Sequence, residues 1–236
     1  MTGSLQRIEF APAGGHRVVA DRLAGRTPGL VWLHGLGSVR ESIKSDALFA
    51  HAASLGREAW RFDFRGHGES SQALADTTLT DLIEDTLAVL ARAGRSWLVG
   101  SSLGGLVAAW IAARRSELVE GLVLLAPALR FLPHMRARTL IDGRIRLEYH
   151  SGVVDFGPRM TDDLARHDES LLAPSIEAPT FVAHGELDDA VPLAASEEFV
   201  ARLRTRKSLF VVPGGDHRLH EPIEAILAAA RAFHAW

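Results

Sequence analysis

Apolar residues along this chain fall into short, nearly continuous runs closed by turn-forming residues, with helical patterns standing between them. Leu30-Val31-Trp32-Leu33, Ala59-Trp60-Arg61-Phe62, Trp97-Leu98-Val99, Leu122-Val123-Leu124-Leu125, Thr180-Phe181-Val182-Ala183 and Leu209-Phe210-Val211-Val212 have the length of strands. Apolarity this continuous suits strands covered on both faces, as in a mostly parallel sheet. Gln6 to Phe10 and Arg17 to Leu23 read as two leading antiparallel strands with a Gly14-Gly15 turn between them. Leu79, Leu82, Ile83, Thr86, Leu87 and Leu90 recur at the spacing of one helix face, and Thr78 followed by Asp81 is a start signal. Leu103 to Arg114, Ala194 to Leu203 and Ile223 to Phe233 behave in the same way. This alternation predicts an α/β protein with a central sheet of about eight strands and helices on both faces.

One stretch breaks the alternation. Leu129 to Ala178 carries Pro133, Pro158 and Pro174, an expected Asp142-Gly143 turn and no clear strand-helix unit. Roughly 50 residues is far longer than an ordinary connection, and excursions of that length are often lids or binding loops. We expect a small cap, 129–178, inserted after the sixth strand of a single domain that spans 1–236.

Composition narrows the class of protein. The chain has 236 residues, 47% hydrophobic and 23% charged, as in globular proteins able to bury one sizeable core. A net charge of -3 gives no bulk reason to expect nucleic acid as a partner. Arg202, Arg204, Arg206 and Lys207 form a basic run, but at a helix end, where cations complement the helix dipole. There is no cysteine, which excludes disulfides, thiolate nucleophiles and cysteine metal sites. Met1 to Phe10 lacks the apolar stretch of a secretory signal, and no run approaches the roughly 18 apolar residues of a membrane span. A cytoplasmic location is expected.

Candidate chemistry begins at Gly100-Ser101-Ser102-Leu103-Gly104, a G-x-S-x-G match between an expected strand and an expected helix. A sharp strand-to-helix turn exposes a serine Oγ, and glycines on either side leave room where strand and helix crowd together. Ser102 is therefore the candidate nucleophile. At the helix start the Leu103 N–H is unpaired and can stabilise an oxyanion. His34-Gly35-Leu36-Gly37 follows another strand, and its Leu36 N–H is the candidate second donor. A serine needs a base, and in open α/β sheets the chemistry gathers at the carboxyl ends of the strands. That rule favours His217, after Leu209 to Val212 and the Pro213-Gly214-Gly215 turn, over His220 where the last helix starts. The acid should follow the previous strand, and His184-Gly185-Glu186-Leu187-Asp188-Asp189 offers three carboxylates between which spacing alone does not choose. His34, His184 and the Arg65-Gly66-His67-Gly68 loop read as structural. His134, His150 and His167 in the insertion show no metal-ligand spacing.

From Gly29 onward these motifs, with Asp63-Phe64-Arg65-Gly66-His67-Gly68-Glu69-Ser70 and Val191-Pro192, resemble the α/β hydrolases. The resemblance implies the α/β-hydrolase fold. It also implies that the acid lies three residues after the glycine of the His-Gly pair, at Asp188. Gly100 to Gly105, Asp188-Asp189-Ala190-Val191-Pro192 and Asp216-His217-Arg218 look particularly like the palmitoyl-protein thioesterase and acyl-glucuronide esterase subgroup. That likeness implies hydrolysis of acyl thioesters and acyl glucuronides. Taken together, the residues make a Ser102-His217-Asp188 triad with an oxyanion hole of Leu36 and Leu103, acting on a small-molecule acyl ester or thioester with no metal or cofactor. Carbon-carbon bond hydrolysis, perhydrolysis and ligand binding without turnover are other uses of the same fold. Phe131, Leu132, Met135, Leu140, Ile141, Val153, Val154 and Phe156 would give the cap an acyl pocket, or simply hold it on the body.

Overall fold

The alternating runs become a single eight-stranded sheet in the computed structural model, which describes residues 4–12, 15–130, 144–149 and 152–236. Its strands are β1 (Leu5–Phe10), β2 (Val18–Leu23), β3 (Arg26–Leu33), β4 (Arg57–Phe62), β5 (Ser96–Ser101), β6 (Val119–Leu125), β9 (Thr180–Gly185) and β10 (Lys207–Val212). They lie in the order β1-β2-β4-β3-β5-β6-β9-β10. β2 pairs antiparallel with both β1 and β4, and every other pairing in this sheet is parallel. Between the sixth and last two strands, β7 (Ile145–Tyr149) and β8 (Gly152–Phe156) form a separate antiparallel pair. The predicted α/β-hydrolase architecture is the one observed.

Strand side chains alternate between two cores, as the period of two requires. Val31, Leu98, Leu122 and Leu124 point to the side covered by α2 (Leu79–Ala93) and α3 (Leu103–Arg114). Leu30, Trp32, Val99 and Val123 point to the other side, under α1 (Ile43–Ser54) and α6 (Ile223–His234). Two further α-helices among the described residues are α4 (Pro158–Leu164) and α5 (Leu193–Arg202). Thr78 caps α2 as expected: its hydroxyl accepts from Asp81 N–H and Asp81 reciprocates on Thr78 N–H. Lys207 Nζ donates to the carbonyls of Ala201 and Leu203, so part of the basic run closes the end of α5.

Two features depart from the expectations set by sequence. β10 is only partly covered: it lies at the edge of the sheet beside β9, Leu209 packs on one core and Phe210 and Val212 on the other, and Val211 stays 37% exposed. Helix α1 carries no strong apolar stripe. It starts on a box made of two serines, Ser42 and Ser45, rather than the usual serine and glutamate.

The inserted segment is tied to the body. Ile145, Leu147, Phe156, Met160, Leu164, Leu172 and Ile176 are buried in the same core as α2 and α3. Asp163 accepts from the Thr80 N–H and hydroxyl at 2.8 Å each, while Val153 is exposed. Phe131, Leu132, Met135, Leu140, Ile141, the Asp142-Gly143 turn, His134, His150 and Gly14 lie outside the described residues. Among the described residues no helix is long and apolar enough to cross a membrane.

Candidate active site

The central strand β5, between β3 and β6, delivers Ser102 to the carboxyl edge of the sheet. There the chain turns into α3 with Ser102 at φ 52° and ψ -116°. A non-glycine residue held in such a region costs about 1–3 kcal/mol and persists only if its surroundings determine it. They do so here. Ser102 N–H donates to Leu125 O at 2.9 Å, and Ser102 O accepts from Gly105, Leu106 and Ala128 N–H at 2.9, 3.1 and 2.9 Å. A Cβ at Gly100 would overlap the Gly104 carbonyl, and one at Gly104 would overlap the carbonyl oxygens of Leu33 and His34. Both glycines therefore allow the close approach that bends the chain. The Ser102 side chain does not cap α3, which frees its Oγ.

His217 arrives from the loop after β10. Asp216 holds that loop in a tight turn, its Oδ1 accepting from Arg218 and Leu219 N–H at 3.0 and 3.2 Å. His217 Nε2 lies 3.0 Å from Ser102 Oγ, and Nδ1 lies 2.8 Å from Asp188 Oδ2. Asp188 comes from the loop after β9, and its side chain is fully buried. Burial by itself raises the Asp188 carboxyl. Hydrogen bonds from His184 and His217, together with the Val191 N–H, outweigh it and hold the carboxyl well below the usual carboxylate range. An ionised carboxylate only accepts, so in the neutral imidazole Nδ1 of His217 carries the proton and Nε2 can accept from the serine hydroxyl. The Asp188 Oδ1 accepts from Ala190 and Val191 N–H at 2.9 and 2.8 Å. A hydroxyl facing such a nitrogen can be deprotonated as it attacks a carbonyl.

The glycine-rich turn after β3 lies against the serine. A Cβ at Gly35 would sit 3.4 Å from Ser102 Cβ. His34 Nδ1 donates to Gly35 O at 2.8 Å, Ser38 N–H donates to it at 3.2 Å, and His34 Nε2 accepts from Phe64 N–H at 3.1 Å. In a trans peptide the carbonyl and the following N–H point in opposite directions. Two donors on Gly35 O thus fix the direction of the Leu36 N–H. Leu103 is the first residue of α3, and its N–H has no carbonyl within the helix.

The structure brings Ser102, His217 and Asp188 together, with the Leu36 turn and the Leu103 end of α3 beside the serine. Asp189 is exposed, and His220 sits where its carbonyl accepts from Ile223 at the start of α6. His184 lies behind the acid: its Nε2–H is shared between Val191 O at 2.9 Å and Asp188 Oδ2 at 3.1 Å, and its Nδ1 faces Ser196 Oγ at 2.8 Å. Arg65 is bound to Asp81 and Asp85 of α2, a structural engagement. Sequence reasoning passed over Lys44, whose Nζ donates to Ser101 Oγ at 2.7 Å and to Arg218 O at 2.9 Å. The signal for it was slight, since the unrecognised helix α1 carries it. Among the described residues no cluster of His, Asp and Glu has the geometry to hold a metal ion.

With fold and site in view, the sequence matches the alpha/beta hydrolase family over residues 30–233, and the chain belongs to that family. It is 30% identical over 218 residues to the mitochondrial palmitoyl-protein thioesterase ABHD10 of Mus musculus, covering 85% of this chain and 72% of the relative. It is 34% identical over 127 residues to the esterase Rv0045c of Mycobacterium tuberculosis, covering 52% of this chain and 40% of the relative. The solved structure of alpha/beta hydrolase domain-containing protein 10 from mouse superposes with a TM-score of 0.83 at 24% identity, over 96% of this chain and 97% of that one.

Proposed function

We propose that this protein is a serine hydrolase that cleaves carboxylic esters or acyl thioesters through an acyl-enzyme on Ser102. The observation that carries the reading is the continuous relay from Asp188 through His217 to Ser102, at 2.8 and 3.0 Å. The names of the thioesterase and esterase relatives support the substrate class.

In the proposed reaction Ser102 Oγ attacks the acyl carbonyl while His217 Nε2 takes its proton. The N–H groups of Leu36 and Leu103 stabilise the oxyanion. His217 then returns the proton to the leaving alcohol or thiol, and the carbonyl re-forms on Ser102. Water, deprotonated by the same nitrogen, attacks the acyl-enzyme; the bond to Ser102 Oγ breaks, His217 returns the proton to that oxygen, and the acid is released. Asp188 keeps Nδ1 protonated and stabilises the imidazolium without taking the proton itself. These steps require no metal or cofactor.

We also propose one domain over 1–236, with 129–178 as a cap that selects the substrate. The Ala128 N–H bonded to Ser102 O supports this, since the segment then begins beside the nucleophile. Replacing Phe131 or Met135 by Ala should shift the preference among acyl chain lengths. Each methylene no longer held is worth about 0.8 kcal/mol, roughly fourfold in discrimination. A flat profile over p-nitrophenyl esters and acyl thioesters of increasing length would leave the segment as covering. A cytoplasmic location belongs to the same proposal, whereas the mouse relative is named as mitochondrial. Fractionation of producing cells distinguishes the two.

A fluorophosphonate probe tests the central reading. Ser102 should be labelled covalently, and Ser102→Ala should lose both labelling and turnover while melting as the parent does. An unlabelled parent, or a Ser102→Ala variant of undiminished turnover, would remove the nucleophile assignment.

A further inference from the structure

We propose that Lys44 is a positioning residue that holds the turn of the nucleophile and the loop of the base in register. The proposal rests on the assignment of Ser102 as nucleophile and His217 as base. Lys44 Nζ bridges Ser101 Oγ and Arg218 O, at 2.7 and 2.9 Å. Each partner is the immediate chain neighbour of one member of the reacting pair. Ser101 is the last residue of β5, and its side chain is buried beneath the turn that Ser102 makes. Arg218 O belongs to the Asp216-bounded turn that carries His217. The Ser102 to His217 contact joins elements from distant parts of the sequence, and a shift of about 1 Å between such groups can cost on the order of 100-fold in rate. One ammonium spanning the two resists that shift.

Nothing in α1 itself favours a cation at this place. Lys44 stands in the first turn of the helix, where the dipole opposes positive charge. Its surroundings supply the reason for it to be there. Asp216 and His220 face it from the base loop, Asp188 from the loop after β9, and Ser101 from β5. Burial lowers Lys44 to about 8, against the attraction of Asp216 and Asp188, which raises it. The ammonium therefore becomes an amine within a range open to assay. The amine keeps two N–H donors but loses the charge that strengthens both bonds. The bridge should weaken as pH rises through that midpoint.

The test uses the full chain, with melting temperature as the check on folding. Fluorophosphonate labelling rates and kcat and KM for p-nitrophenyl acetate are measured from neutral pH to well above the Lys44 midpoint. Lys44→Met should label about 10-fold more slowly, with the loss in kcat rather than KM. The decline in parent activity around the Lys44 midpoint should be absent from this variant. Lys44→Arg, which keeps its charge at all these pH values, should recover part of the rate and carry the plateau upward. If Lys44→Met does not fold, Lys44→Gln serves in its place, with the same loss of the high-pH decline expected. Labelling of parent Ser102 alongside an unchanged rate and pH profile in the variant overturns the positioning role alone. Failure of the parent to label at Ser102 overturns the triad reading and this proposal with it.

Discussion

At the residue scale, neighbouring side chains of the same type are set apart by what surrounds them. Asp188 and Asp189 are adjacent, yet Asp188 has two backbone N–H groups on one oxygen and two imidazoles on the other, while Asp189 is exposed. Asp188→Asn should therefore lower kcat on the order of 10⁴-fold, the precedent of the serine-protease acid, and Asp189→Asn should be mild. His217→Ala should be as damaging as loss of the serine, and His220→Ala far less so. Steady-state kinetics of the four variants decide this, and the opposite ranking in either pair would mean that the wrong residue was chosen. Ser102 was legible in the sequence because its signal is local steric necessity, two glycines spaced so that strand and helix can touch. Asp188 was not fully legible, because His217 reaches it from a separate loop and only the family register separated it from Asp189. Lys44 was invisible for the same reason carried further: both its partners are remote in the chain.

At the scale of elements, the helices that sequence patterns located are those with an apolar stripe, as in α5 and α6, or with apolar residues on every side, as in α3. Helix α2 adds a recognisable cap to its stripe. Thr78→Ala removes the hydroxyl that accepts Asp81 N–H and should cost about 1 kcal/mol, with little effect on activity because, among the described residues, the side-chain hydrogen bonds of the triad run within it, to β9 and to the loop after β9, and not to α2. Helix α1 has a weak stripe, and its cap is a pair of serines. Its contribution to the core rests on Leu48, Phe49 and Ala52, with Ala47 and Ala53 packed beside them, while Ile43 is exposed. The strands were legible because burial on both faces writes itself as an unbroken apolar run, a rule that β10 breaks at the sheet edge. Where α3 meets β3 there is no room to spare. Gly104→Ala would drive a methyl into the Leu33 and His34 carbonyls, so the helix must lift from the strand. That overpacking should cost about 1–3 kcal/mol, and the movement displaces the Leu103 N–H from the oxyanion position. Denaturant melts and labelling rates should therefore both suffer in Gly104→Ala, whereas Thr78→Ala should affect the melt alone. A Gly104→Ala protein with parental stability would show that the close approach is not required.

At the scale of the whole molecule, several buried histidines make stability depend on pH in a direction that follows from their burial. Burial holds His34 well below its ordinary value, lowers His67, and lowers His234 from 6.5 to about 4. In the unfolded chain each would take up a proton near pH 6.5, while in the folded protein each stays neutral until a lower pH. Below that value the unfolded state thus binds more protons, so their contribution to stability is complete above pH 6.5 and declines as the pH falls. For His234 the decline runs from 6.5 down to about 4, where the folded form protonates as well. This histidine matters to the global structure because it fastens the last helix to the sheet. Its Nε2 donates to Leu122 O at 2.9 Å, Trp236 stacks on its ring, and a Cβ at Gly121 would come within 2.7 Å of it. Helix α6 in turn comes directly after the loop that carries His217. His234→Gln should melt lower than the parent at neutral pH, having lost the stacked ring. Its melting temperature should also fall less steeply between pH 6.5 and 4, because a neutral amide has no proton to gain on unfolding. Melting curves of the two proteins at a series of pH values provide the measurement. Parallel slopes across that window would show that His234 does not contribute to the acid sensitivity of the fold, leaving it to the carboxylates and the other histidines that burial lowers.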